Sequence, residues 1–183
     1  SWLKANPDMA TAATVGTGSA AHVAGIYFQR ATGTTFKFVA YRGGGPGMQD
    51  LAAGHVDLSF SEGTAALGGL RGGLIKAYAT MEPRRWFGAP DVPTVDELGL
   101  PGLHVSFWQA LWVPKGVPAD VMAKLAGAVR EALADTEVRR KLTDVGQEIY
   151  PNEQQTPTAL GVFHRSEAEK WWPIIKAATA KKE

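Results

Sequence analysis

The sequence predicts an α/β fold, on three observations. Between residue 10 and about residue 81, a short β-rich run, a glycine-rich turn and a helical stretch follow one another three times, which is how a parallel sheet alternates with its crossover helices. Each turn, Gly16-Thr17-Gly18-Ser19, Arg42-Gly43-Gly44-Gly45 and Ser61-Glu62-Gly63-Thr64, stands between a strand and a helix. A hydrophobic content of 45% over 183 residues supplies enough apolar mass for a core, in one domain or two small lobes.

The elements follow in order. Ser1 to Asn6 reads as the last turn of a helix that stops ahead of Pro7, so the chain is expected to start mid-protein. Ala12 to Val15 form a first strand. After the first turn a helix runs from about Ala20 to Ala31, with Val23, Ile26 and Tyr27 at helical spacing and Gly33 as its stop. Phe36 to Tyr41 form the second strand, and its helix opens with Pro46 at the first position and closes at Gly54. Val56 to Phe60 are the third strand, Thr64 caps a short helix through Leu70, and Leu74 to Thr80 are a fourth strand. Residues 82–103 are proline-rich and connecting, interrupted by one turn in which Thr94-Val95-Asp96-Glu97 makes a capping box and Gly99 a stop. A long apolar strand spans His104 to Val113. Helices follow from about Ala119 to Ala134, with Val121, Leu125, Val129 and Leu133 on one face, and from about Thr136 to Val145. Gln147 to Tyr150 are a short strand. Thr156 then caps a closing helix with Pro157 first, Leu160, Phe163, Trp171 and Ile175 inward, and Pro173 as a kink.

Composition excludes several function classes. Nineteen basic residues stand against eighteen acidic ones, a formal charge of +1, so no polyanion-binding surface and no nucleic-acid partner are expected. The chain has no Cys, which removes disulfides, thiol catalysis and thiolate metal sites. His22, His55, His104 and His164 lack zinc-site spacing. No apolar run reaches the roughly 20 residues that cross a bilayer.

In a parallel sheet the three turns share one edge, where open α/β folds bind ligands. Helix N-termini and free N–H groups at that edge suit a phosphate or a carboxylate. The candidate ligand residues are Thr17, Gly18, Ser19 and His22 from the first turn, Tyr41, Gly43 and Gly44 from the second, and Ser61 and Glu62 from the third. The N–H groups of Gly18 and Ser19 and the Ser19 hydroxyl are expected to hold the anion, and Glu62 to meet a ligand amine or solvent. His22 reads as a helix-start hydrogen-bonding residue rather than a base. Trp108, Trp171 and Trp172 read as core, and Asp50 and Asp57 as turn and helix-end residues. Two chemistries stay open. The run TVGTGSAA approximates the dinucleotide fingerprint, with Ala21 in the third glycine's place and Arg42 near a 2′-phosphate, which describes an NADP-binding oxidoreductase domain. A small-anion binder without catalysis is the other. A serine-hydrolase elbow is broken by Ala21.

Further marks run along nearly the whole chain: Gly18-Ser19 with His22; Val39-Ala40-Tyr41-Arg42-Gly43 with Pro46, Asp50-Leu51, Gly54 and Val56-Asp57; Pro90-Asp91-Val92-Pro93-Thr94 with Glu97 and Gly99; Leu100-Pro101-Gly102; and Val105-Ser106-Phe107-Trp108 through Pro114, Gly116 and Pro118. In this order they resemble the substrate-binding proteins of tripartite tricarboxylate transporters, the Bug family. The resemblance implies a periplasmic-binding-protein type II-like fold, non-enzymatic and without cofactor, whose lobes close over a small organic carboxylate or acidic amino acid for delivery to membrane permease subunits. It implies a periplasmic location. Residues 1–9 would end a lobe-one helix or linker, 10–103 form the complete ligand-binding lobe two, and 104–183 supply the return strand and the C-terminal part of lobe one. The family's opening strand and its ligand loop have no counterpart here, so the chain reads as the C-terminal part of a receptor, able to dimerise through exposed lobe-one surface. Family members commonly carry Phe-Asp-Asn where this chain has Phe60-Ser61-Glu62.

Overall fold

A computed structural model describes residues 2–179; Ser1 and residues 180–183, which belong to the expected opening turn and closing segment, lie outside the described residues. Two compact units emerge, one from the residues up to Phe107 together with those from Ile174, the other spanning Trp108–Pro173.

In the first unit α1 (Trp2–Ala5), β1 (Thr11–Thr14), α2 (Ala20–Thr32), β2 (Lys37–Ala40), α3 (Gly44–Ala52), β3 (Leu58–Ser59) and α4 (Gly63–Arg71) succeed one another. The strands are parallel in the order β2-β1-β3, with Thr11 opposite Lys37, Thr14 opposite Ala40 and Ala12 opposite Leu58. A central parallel strand is covered on both faces and needs no polar alternation, which is why β1 can be Ala12-Ala13-Thr14, all buried. Phe36 and Ala10 join Ala12 in the core, and Phe28, Phe38, Leu58, Phe60 and Leu3 pack on them. The rings meet edge-on or offset, Phe36–Phe38 at 5.3 Å and Phe28–Phe60 at 5.4 Å between centroids, the arrangement their quadrupoles favour. Asp57 ties β3 to β1 by accepting from the Thr11 N–H and hydroxyl, both at 2.8 Å. Helix α2 lies so close to β2 that a Cβ at Gly25 would stand 2.6 Å from Phe38 Cε1.

Several boundaries differ from expectation. Helix α3 starts two residues before Pro46, because Gly43 takes φ 102°, a left-handed backbone that glycine adopts without strain. Helix α4 starts at Gly63 after Glu62, so Thr64 lies inside it and is not its cap. Leu74 to Thr80 do not form a strand; one parallel bridge joins Thr80 to Thr94. The capping box does form, with the Thr94 N–H donating to Glu97 at 2.7 Å and the Glu97 N–H to Thr94 Oγ1 at 3.1 Å.

The second unit holds α5 (Ala119–Ala134), α6 (Thr136–Asp144), a 3-10 turn (Asn152–Gln154) and most of α7, which spans Pro157–Thr179 and continues through Pro173. Asp135 caps α6 by accepting from the N–H groups of Glu137 and Val138 at 2.9 Å. Thr156 caps α7 as expected, accepting from the Ala159 N–H. Trp108 packs edge-on against Phe163 at 5.1 Å and beside Trp112 at 6.3 Å. Neither His104–Val113 nor Gln147–Tyr150 is a strand: the Val105 N–H donates to the Met81 carbonyl at 2.8 Å, but among the described residues no ladder runs along either segment, and a strand exists only as part of a ladder. No apolar residue of this unit is fully buried among the described residues, and Trp172, expected in the core, is 58% exposed.

Candidate functional site

The C-terminal ends of β1, β2 and β3 deliver three loops to one edge of the sheet, with neighbouring strands about 4.8 Å apart. All the candidate residues named above lie on these loops or at the starts of the helices that follow them.

The loop after β1 is closed by its own hydrogen bonds. The Gly16 N–H donates to Thr14 Oγ1 and the Ser19 N–H to the Gly16 carbonyl, both at 3.2 Å. The Gly18 N–H donates to His22 Nδ1 at 3.2 Å, and Ser19 Oγ accepts from the His22 N–H at 3.3 Å, capping α2. The N–H groups of Gly18 and Ser19, expected to hold an anion, are therefore engaged within the loop. What the loop still offers outward is the Ser19 hydroxyl proton, the exposed Thr17 hydroxyl, and the N–H groups of Ala20 and Ala21, which precede the first intrahelical bond from Val23 to Ser19. His22 serves as the helix-start hydrogen-bonding residue, its ring edge-on to Phe38 at 4.6 Å.

After β2, the Tyr41 N–H carries the ladder one step further by donating to the Thr14 carbonyl at 2.8 Å. Its hydroxyl turns away to donate to Asp50 Oδ2 at 2.7 Å, and Asp50 Oδ1 faces His55 Nδ1 at 3.2 Å. The hydrogen bond holds the Tyr41 hydroxyl above its ordinary pKa, and the bonds from Tyr41 and His55 hold the Asp50 carboxyl below its own. Tyr41 thus contributes ring surface and fixes α3; a Cβ at Gly47 would stand 3.3 Å from its Cδ2. Gly43, Gly44 and Gly45 are exposed, with nothing within 4 Å of where a Cβ would stand. Arg42 beside them is exposed.

After β3, Ser61 Oγ lies 2.7 Å from Ser59 Oγ and 3.3 Å from Met48 Sδ, tying the third loop to α3. Glu62 is the N-cap of α4 through its carbonyl, which accepts from Ala65 and Ala66; its side chain makes no cap bond.

Sequence reasoning missed the segment that closes this side. Arg85 grips Glu97 in a fork, Nη2 to Oε1 at 2.8 Å and Nε to Oε2 at 3.0 Å, while its Nη1 donates to the Pro90 carbonyl. The guanidinium and the Thr94 N–H hold the half-exposed Glu97 carboxyl down to about 2. Trp86 lies against Gly63, the first residue of α4. The capping box flagged Glu97, whereas no local pattern flagged Arg85 or Trp86. Among the described residues no group of His, Asp and Glu is gathered to hold a metal, and no helix is long and apolar enough to cross a membrane.

Residues 1–179 match the family model described as tripartite tricarboxylate transporter family receptor. A UPF0065 protein of Agrobacterium vitis, from the TAR-I ttuE-ttuC' intergenic region, is 36% identical over 176 residues, 96% of this chain and 51% of its own length. MatC from Rhodopseudomonas palustris, solved with bound malate, superimposes with a TM-score of 0.90 at 33% identity, over 95% of this chain and 59% of its own. An R. palustris protein solved with adipate gives 0.88 at 26% identity, over 97% and 58%. The chain therefore spans about half the length of the curated relative and under two thirds of the solved ones.

Proposed function

The chain belongs to the tripartite tricarboxylate transporter receptor family, and from that premise we propose that it captures a small organic carboxylate, or an acidic amino acid, at the C-terminal edge of its parallel sheet. The protein would act in the periplasm and hand its ligand to the permease subunits of the transporter, without catalysis. One observation carries the reading: three helices, α2, α3 and α4, begin on the same sheet edge, so their N-terminal partial charges and open N–H groups converge where an anion would sit. The Thr17 and Ser19 hydroxyls would add donors, and Gly43 and Gly44 let the α3 backbone come close. Malate and adipate in the two solved neighbours are ligands of that chemistry.

Strand order speaks against the NADP reading. A dinucleotide-binding half runs 3-2-1, with its second strand in the middle, whereas here β1 is central between β2 and β3. Calorimetry against malate, adipate, aspartate and NADP tests the choice. A carboxylate should bind saturably and stabilise the protein by about 2.7 kcal/mol at a hundredfold excess over its dissociation constant. Saturable NADP binding with no response to carboxylates would reverse the assignment.

A further inference from the structure

We propose that Trp86 is a specificity-determining wall of this site, supporting the hydrocarbon part of the bound carboxylate; the inference rests on the carboxylate reading. The six-membered ring of its indole is wedged between two glycines. A Cβ at Gly63 would stand 2.8 Å from Trp86 Cζ2, and one at Gly88 only 2.4 Å from the same atom. Neither glycine needs a left-handed backbone, so it is the ring that keeps both positions bare. Gly63 opens α4 directly after Ser61 and Glu62, which puts the indole at the ligand edge of the sheet on its β3 side. The segment carrying it is pinned by the Arg85 fork on Glu97 and by the bond to the Pro90 carbonyl. Phe87 stands edge-on beside Trp86 at 6.1 Å and is 44% exposed, which extends the apolar surface.

Apart from Val15 and the Tyr41 ring, the three loops offer hydroxyl, amide and charged groups: Thr17, Ser19, Arg42, Gly43, Ser61 and Glu62. Those groups recognise a carboxylate and are indifferent to the carbons behind it. A half-buried indole against the first turn of α4 supplies an apolar surface on the β3 side, where the third loop has none. Because the ring sits against both glycines and its neighbour Arg85 is pinned, the wall would stand at one place relative to the loops and so sort ligands by chain length.

The test is calorimetry with succinate, glutarate and adipate on the wild type, Trp86→Ala and Gly88→Ala. The second variant keeps the indole but displaces it, so a reading remains if the first fails to fold. Wild-type affinity should rise with chain length by up to about fourfold for each methylene that reaches the ring. Both variants should flatten that slope, with adipate weakened by about tenfold and succinate by less than about threefold. A uniform loss across the three acids, an unchanged slope in both variants, or a wild type with no slope at all overturns the inference and leaves the carboxylate reading standing. A wild type that binds no carboxylate removes the reading and the inference together.

Discussion

In the sheet unit the side chains that the pattern aims inward reach an interior: Ala12 and Ala24 have no exposed surface and Phe36 is 4% exposed. In α5, Val121 and Leu125 recur at the same kind of helical spacing and keep 39% and 36% of their surface exposed. The two regions have similar apolar patterning and different outcomes, because periodicity defines a face and only a neighbour buries it. The sheet unit carries its neighbours with it, since β1 pairs on both sides and α2 rests on Phe38. Rigidity is therefore expected in the sheet unit, which carries the three loops proposed to hold the ligand.

The largest expected effect falls on that core. Phe36→Ala should cost about 3 to 5 kcal/mol, whereas Leu125→Ala should cost under about 1 kcal/mol, since the first empties a packed site and the second trims a face already open to water. Amide hydrogen exchange resolved by residue checks it: protection should fall across β1 and β2 in the first variant and be nearly unchanged in the second. Equal losses would erase the distinction between the units.

Gly25→Ala should destabilise the sheet unit by about 1 to 3 kcal/mol, because the new methyl meets the Phe38 ring and α2 must move off β2. Thermal denaturation reads that loss. The same substitution at Gly127 of α5, where nothing stands within 4 Å, should be neutral or stabilising by up to about 1 kcal/mol.

Ser19→Ala should produce two losses at once. Its hydroxyl oxygen caps α2 while its proton stays available, so about 1 kcal/mol of stability and roughly tenfold in carboxylate affinity should both disappear. Thermal melts of the free protein and calorimetry with malate separate the two. Lost stability with intact affinity would leave Ser19 a cap and nothing more.

The smallest effect concerns acid. Glu97 ionises in the folded protein at about 2, well below its ordinary range. The stability this contributes is complete above the ordinary carboxylate range and drains away as pH falls toward 2. Arg85→Ala should flatten that part of the stability profile, measured by denaturant midpoints between pH 5 and pH 2. An unchanged profile would show that the fork is screened out by solvent.

Much of the sheet unit was legible because its signals are local. The turn at 16–19 sits where the sequence places it and Gly33 stops α2 as expected, while the turns expected at 42–45 and 61–64 are shortened by helices that begin at Gly44 and Gly63. Elements that depend on a distant partner were not legible. Leu74–Thr80 and His104–Val113 have strand composition, but a ladder needs a second strand that composition cannot supply. The site followed the same division. Which loops gather was readable from the alternation; which N–H groups remain open was not, since that depends on His22 Nδ1 and the Gly16 carbonyl accepting from Gly18 and Ser19. Trp86 was invisible for a related reason, as Gly63 lies far from it in sequence and touches it only once folded.

If the sheet-edge loops hold the ligand, amide chemical shifts of the 15N-labelled protein during titration with malate will report it. Saturable shifts are predicted at Thr17 to Ala21, Gly43 to Gly45 and Ser61 to Gly63, while the amides of α5 and α6 stay where they are. Malate binding that leaves the three loops still, or that moves the amides of 119–144 instead, would contradict it.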